Sequence, residues 1–162
     1  TVPLFVRSQH HRHRTWSYNE ISRRYTSYDI KFYEPSAFRA QHESNRQASI
    51  PDVQHDPVLY PNIFDEHIGD TASEVVARHH KESLKLFNLL IDKGVCREQA
   101  RGVLPQNMYT QYYGTVNMSN LIKFIDLRIH EGAQWEIQKV AEACRDVATR
   151  LWPISMDAYR KS

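Results

Sequence analysis

Residues 12 to 25 read Arg12-His13-Arg14-Thr15-Trp16-Ser17-Tyr18-Asn19-Glu20-Ile21-Ser22-Arg23-Arg24-Tyr25. They belong to a local concentration of positive charge. Arg7, His10, His11, Arg12, His13, Arg14, Arg23 and Arg24 fall within eighteen residues whose only carboxylate is Glu20. Such a cluster repels itself unless an anion compensates it, and arginine's fixed fork of donors suits phosphate. If Arg12-His13-Arg14 is extended at the end of a strand, residues 12 and 14 share one face and His13 takes the other. Two guanidiniums side by side make a poor core and a good phosphate clamp. The plainer reading is a solvated, charge-defended strand edge.

Working outward, Val2-Pro3-Leu4-Phe5-Val6 is a short apolar run with β-branched and aromatic members, which predicts a strand leading into the basic cluster. Ser17 to Tyr25 suits a helix start or an ordered loop. Asp29-Ile30-Lys31-Phe32-Tyr33 alternates polar with apolar, a second strand signal that Glu34-Pro35 stops. From Ser36 to about Pro61 the composition turns polar, and the expectation is an irregular excursion.

The second half has helical periodicity. Asp70-Thr71-Ala72-Ser73-Glu74 offers capping residues and Gly94 a stop, with Val76, His80, Leu84, Phe87 and Ile91 spaced by three and four between them. A short helix is predicted around Cys96 to Val103, another over Ser119 to Ile129, and a last long one over Ala133 to Leu151, with Pro153 just beyond. The fold class predicted is α+β: a small antiparallel sheet carrying the basic cluster, packed with helices, in one domain over residues 1–162.

Length and composition agree with that. The 162 residues, 41% hydrophobic and 25% charged, match a globular chain. No apolar run approaches the ~20 residues of a membrane helix, so no membrane partner is expected. Cys96 and Cys144 are too few for a disulfide scaffold, which points to a reducing, cytoplasmic compartment. The net charge of +2 is a small difference between 21 basic and 19 acidic residues and says little about partners.

Several constellations bear chemistry. Ser22 and Arg24 offer a hydroxyl and a fork at short spacing, with Glu20 able to orient a neighbouring arginine. A serine nucleophile needs an oriented base, and no G-x-S-x-G elbow surrounds Ser22; a cap or turn role is equally open. A metal at His10, His11 and His13 is not expected, because adjacent histidines on a strand diverge and Arg12 opposes a cation. Arg128 lies on a helix beside apolar Phe124 and Ile125, so it must be paired or point into a polar cleft. A salt bridge to Glu131 or Glu136 is the plain alternative. Asn117, Ser119 and Lys123 lie along the same segment, where Asn117 and Ser119 can also be caps. The five glycines are isolated, so any nucleotide is held by side chains, not by a glycine-rich turn.

Arg12-His13-Arg14, seven residues, then Ser22 resembles the signature of the flavin-dependent thymidylate synthases, and the likeness extends over residues 12 to 25. A second block follows in order: Glu98-Gln99-Ala100-Arg101, Leu104-Pro105, Tyr109-Thr110, Thr115-Val116-Asn117, Leu127-Arg128 and Ala133-Gln134-Trp135-Glu136-Ile137. The resemblance implies an α+β homotetramer with active sites between subunits, acting as an FAD-dependent methyltransferase. It implies reductive methylation of dUMP to dTMP, with bound FAD, methylenetetrahydrofolate as carbon donor and NADPH as reductant.

Carried over by position, it implies dUMP contacts from Gln9, His10, His11, Arg12, Glu20, Ile21, Ser22, Arg23, Arg24, Arg101 and Arg128. It implies FAD contacts from Arg12, His13, Arg14, Glu20, Asn117, Met118, Ser119 and Lys123. Arg128 takes the catalytic role of helping to ionise the uracil ring. The chain departs from the family pattern at Lys123, where asparagine or histidine is usual, and at His10-His11, where an aromatic is common. Relative to the family it also lacks an N-terminal segment that contributes flavin contacts.

Two other readings compete. One is an RNA or single-strand binding module in which Trp16, Tyr18, Tyr25 and Tyr28 stack bases between basic residues. The other is a flavin-binding fragment without turnover.

Overall fold

The computed structural model describes residues 1–22, 29–45, 48–61 and 69–161. Within them, helices pack against four two-stranded antiparallel ladders. Strand β1 (Val2–Pro3) pairs with β7 (Tyr109–Thr110), and β2 (Ser17–Glu20) with β8 (Tyr112–Thr115). Strand β3 (Arg39–Gln41) pairs with β4 (Ser49–Gln54), and β5 (Val58–Leu59) with β6 (Asp70–Thr71).

The strand expected over Val2–Val6 stops at Pro3. Pro3 sits at φ −65°, ψ 153° and caps helix α1 (Leu4–His10) instead. Val6 and His10, one turn apart, are the two buried residues of that helix. The apolar run is therefore half of a helical pattern whose other half is a histidine, and proline's fixed φ suits a helix entry. The basic motif accordingly lies in the turn after α1, not on a strand, so the expected alternation of Arg12 and Arg14 about His13 does not apply. Ser17–Glu20, expected as a helix start or loop, is strand β2.

The segment predicted as a second strand makes a single bridge, Phe32 to Met108, flanked by bonds from Tyr33 N to Asn107 O (2.8 Å) and from Tyr109 N to Lys31 O (2.9 Å). Residues 36–61 are not wholly irregular: they contain β3, β4 and β5. Polar side chains hid those strands, because both faces of a short two-stranded ladder can be solvated.

The helices follow the sequence more closely. Helix α2 (Ala72–Asp92) opens with a capping box, Glu74 N donating to Thr71 Oγ1 and Thr71 N donating to Glu74 Oε2. It gives way near Gly94, whose φ of +83° is the left-handed conformation that glycine tolerates. Helix α3 (Arg97–Ala100) runs into one 3₁₀ turn over Arg101–Val103. In α4 (Met118–Ile129) the Asn117 side chain accepts from Asn120 N at 2.9 Å. Helix α5 (Trp135–Leu151), the last long helix expected, is followed by a shorter α6 (Pro153–Arg160) that the sequence reading did not place. Pro153 occupies a first-turn position of that helix, where its missing N–H costs nothing.

Two cores result. Val6, Phe124, Ile125, Ile137 and Ala141 join α1, α4 and α5, while Phe87, Ala100, Leu104 and Met108 join α2 to the segment before β7. Removing a ring such as Phe124 from water contributes about 1.5–3 kcal/mol. The C-terminal ends of α1 and α4 and the start of α5 are thereby locked together, and the basic turn leaves from that junction.

Candidate functional site

Helix α1 distributes its polar residues by helical spacing. Arg7 lines one cleft and Gln9 another, because two residues along a helix point nearly opposite ways. The larger cleft, about 750 Å³, lies between the basic turn, the end of α4 and the start of α5. Gln9, Arg12, Asp126, Arg128, His130 and Gln134 supply its polar lining.

Arg128 is held there from behind. Its Nε donates to His13 Nε2 at 3.1 Å. Arginine has donors only, so that nitrogen must carry a lone pair, which makes His13 neutral with its proton on Nδ1. Burial, and then the Arg128 charge, keep the His13 pKa below its ordinary value. Burial, and then Arg12, lower the Arg128 pKa too, but a guanidinium remains charged. The alternative, a salt bridge from Arg128 to Glu131 or Glu136, is not formed among the described residues. Glu136 instead accepts from Arg39 Nη2 at 2.6 Å and from the Tyr33 hydroxyl at 3.1 Å.

The second cleft, about 470 Å³, is lined by Arg7, Glu20, Ile21, Ser22 and Arg101 among others. Glu20 ends β2, and its Oε1 accepts from Arg7 Nε at 3.1 Å and from buried Thr110 Oγ1 at 2.7 Å. Arg101 Nε donates to the Glu98 carbonyl at 3.3 Å, which steers the guanidinium. No histidine is among the described residues lining this cleft. Arg23 and Arg24 lie outside the described residues.

The structure thus divides the expected substrate contacts. Gln9, Arg12 and Arg128 share one cleft; Glu20, Ile21, Ser22 and Arg101 share the other. His10 and His11 join neither. His10 is 4% exposed among Trp16, Tyr18, Tyr112 and Phe124, with Nδ1 2.7 Å from the Tyr112 hydroxyl. Burial, followed by His13, His11 and Arg128, brings its pKa down to about 4. His11 stacks on Tyr18 with ring centroids 3.9 Å apart. Trp16 and Tyr18 are therefore packed against histidines and Phe124, not presented for stacking bases. Tyr25 and Tyr28 lie outside the described residues.

Of the expected flavin positions, Asn117, Met118, Ser119 and Lys123 lie at or on α4, Arg12, His13 and Arg14 lie in the turn after α1, and Glu20 lies in the second cleft. Ser119 and Lys123 are one turn apart on the exposed side of α4, which continues to Asp126 and Leu127 at the Arg128 cleft. Asn117 is the N-cap, so its Oδ1 is engaged, and Met118 is half-buried. Arg12, Arg14 and Lys123 are exposed cations that form no ion pair among the described residues. Chemically that donor set fits a diphosphate-containing cofactor.

The sequence reading gave no role to Gln134, Arg39 or Tyr33, and placed Glu136 only as an alternative salt-bridge partner of Arg128. These form one chain: Gln9 donates to Gln134, Gln134 Nε2 donates to Glu136 Oε2 at 2.9 Å, and Arg39 and Tyr33 hold Glu136. Two of them stand in the Ala133–Ile137 block, the only motif that pointed to them.

Residues 1–154 match the family model of the thymidylate synthase complementing protein. The chain is 43% identical over 146 residues to a flavin-dependent thymidylate synthase of Aquifex aeolicus, covering 90% of this chain and 42% of that protein. It is 38% identical over 160 residues to one of Thermus thermophilus, covering 99% of this chain and 54% of that protein. The chain thus spans about half the length of these curated relatives. Its fold matches the crystal structure of a UMP/dUMP methylase, PolB, from Streptomyces cacaoi bound with 5-Br UMP. That match has a TM-score of 0.77 and 27% identity, over 99% of this chain and 70% of that one. Because the family match runs through nearly every element described above, this chain belongs to the family of thymidylate synthase complementing proteins.

Proposed function

We propose that this chain acts in flavin-dependent thymidylate synthesis, the reductive methylation of dUMP to dTMP, with FAD as cofactor, methylenetetrahydrofolate as carbon donor and NADPH as reductant. The observation that carries the proposal is the Arg128 guanidinium, fixed through Nε by a neutral histidine while it lines a cleft with Arg12 and Gln9. Methylation requires C5 of the uracil ring to attack an electrophilic carbon. Loss of the N3 proton pushes charge onto C5, and a preorganised guanidinium stabilises that charge without giving up its own proton. FAD, when bound, supplies the redox chemistry.

The remaining roles follow from position. Ser22 and Arg101, with Arg24 from the resemblance, supply phosphate contacts, and Glu20 is preset by Arg7 and Thr110 to accept from the nucleotide. Arg12, Arg14 and Lys123 suit the cofactor diphosphate, with Ser119 beside them. The two clefts carry complementary halves of one set of contacts, which supports a homotetramer whose active sites lie between subunits. Exposed Val147, Leu151, Trp152 and Ile154 offer apolar surface for such assembly. Free thiols at Cys96 and Cys144 fit the cytoplasm.

The test is dTMP formation by the purified protein with FAD, methylenetetrahydrofolate and NADPH, together with its visible spectrum and its size by chromatography. A yellow tetramer that makes dTMP is the expected result. A colourless protein that takes up no FAD and makes no dTMP would refute the proposal.

A further inference from the structure

The proposal above leaves open what decides which end of the Gln9 amide faces the cleft, since the two ends differ by two N–H donors against one acceptor. The hydrogen-bond chain behind Gln9 answers it. Glu136 is 9% exposed, and its carboxylate accepts from Arg39, Tyr33 and Gln134. Burial alone would raise its pKa, but the bonds led by Arg39 outweigh that and hold it below the usual carboxylate range. An ionised carboxylate only accepts. Gln134 must therefore turn its NH2 toward Glu136, and its Oε1 is left facing Gln9. Gln9 must in turn give its NH2 to Gln134, as observed. Its own Oε1 then has no partner among the described residues, in the cleft it shares with Arg128.

We propose that Glu136 is a positioning residue that acts through Gln134 to fix the polarity of the Gln9 amide, so that its carbonyl faces the Arg128 cleft beside the guanidinium donors, in addition to the Asp126 carboxylate that lines the same cleft. The ligand it selects has an N–H or O–H donor next to an acceptor or anionic group, a description met by the imide edge or a sugar hydroxyl of a pyrimidine nucleotide. The identity of that nucleotide rests on the functional reading above; the amide polarity does not. Tyr33 and Arg39 come from outside the Ala133–Ile137 block, so the chain ties residues 33–39 to the cleft.

The experiment has two arms. In the first, nitrogen-15 NMR follows solvent exchange of the Gln9 side-chain NH2 in the full chain. In the wild type it should exchange more slowly than that of exposed Gln111. Gln134→Leu, which leaves the Arg39–Glu136 pair intact, should bring it to the Gln111 rate. Glu136→Gln should shift the Gln134 and Gln9 NH2 resonances together. A Gln9 NH2 that responds to neither variant overturns the proposal.

The second arm titrates dUMP. Gln134→Leu should weaken binding by about tenfold, the scale of one net hydrogen bond, and by less than twofold in a Gln9→Met background. A full tenfold loss that persists without Gln9 would mean that Gln134 and Glu136 act only on the fold, and it overturns the positioning role. If wild-type protein shows the NMR signature but no affinity for dUMP, the functional reading falls and the amide polarity stands.

Discussion

His10 makes the most quantitative test of how the basic segment is built. Neutral, its ring has one N–H; protonated, it has two. Tyr112 can serve Nδ1, but Nε2 is buried with no partner among the described residues. A proton added there loses its water and gains nothing, and His13, His11 and Arg128 repel the new charge. A pKa of about 4 in the folded chain, against 6.5 when exposed, is a gap that corresponds to about 3 kcal/mol. The sign follows from proton counts. Below 6.5 the unfolded chain binds the proton and the folded chain does not, so stability is full above pH 6.5 and falls as the pH drops toward 4. At pH 5.0 the loss from this group is about 2 kcal/mol. The assay is urea denaturation at fixed protein concentration, at pH 8.0 and 5.0, for wild type and His10→Phe. The variant keeps an aromatic ring among Trp16, Tyr18 and Phe124 and loses the Tyr112 bond equally at both pH values. Its drop in stability between the two pH values should be smaller than the wild-type drop by about 2 kcal/mol. Equal drops in the two proteins would refute the reasoning, because His11 and His13 remain in both.

Arg128→Ala should lower single-turnover dTMP formation by a barrier of about 2.7–4 kcal/mol, and Arg128→Lys should rescue it poorly because an ammonium cannot bond His13 and present a planar fork at once. Ser22→Ala should weaken dUMP binding yet keep turnover at saturating dUMP; complete loss of turnover in that variant, with Arg128→Ala near normal, would assign the chemistry to a serine nucleophile instead. Phe124→Ala should cost about 3–5 kcal/mol in the denaturation midpoint analysis, since Phe124 is fully buried where α1, α4 and α5 meet.

The helices were legible because their signals are local. Thr71 and Glu74 form the capping box that their spacing predicts, and Asn117 caps α4. The strands were not legible, since a two-residue strand such as β1 has no period to detect and β7 and β8 are recognisable only by their partners. Val2–Val6 misled for a related reason: five residues are too few to separate a strand from one helical turn, and the deciding residue, His10, is polar by type and buried by context. The candidate site was legible only as motif order. That Gln9, Arg12 and Arg128 share one cleft while Glu20, Ser22 and Arg101 share another depends on α1 pointing Gln9 and Arg7 in different directions, and that required the helix.

The larger cleft shows why its important residues include ones without charge. Arg128 could have been held by a carboxylate, and Glu136 lies in the neighbouring network. A carboxylate on Arg128 would cancel the charge that the proposed chemistry uses, since an ion pair offers little net field to a third group. His13 fixes the guanidinium through one lone pair and cancels nothing. That device works only while His13 is neutral, and burial together with Arg128 itself ensures it by depressing the His13 pKa. The orienting group and the oriented group are thus mutually consistent: the arginine keeps the histidine unprotonated, and the unprotonated histidine keeps the arginine aimed. His13→Asn, which retains an acceptor, should therefore preserve more turnover than His13→Leu at pH 8, measured with FAD confirmed bound. Wild-type turnover should fall on acidification as a proton on His13 Nε2 removes the acceptor, whereas the His13→Asn profile should lack that limb. An unchanged acid limb in His13→Asn would assign the titration to another group.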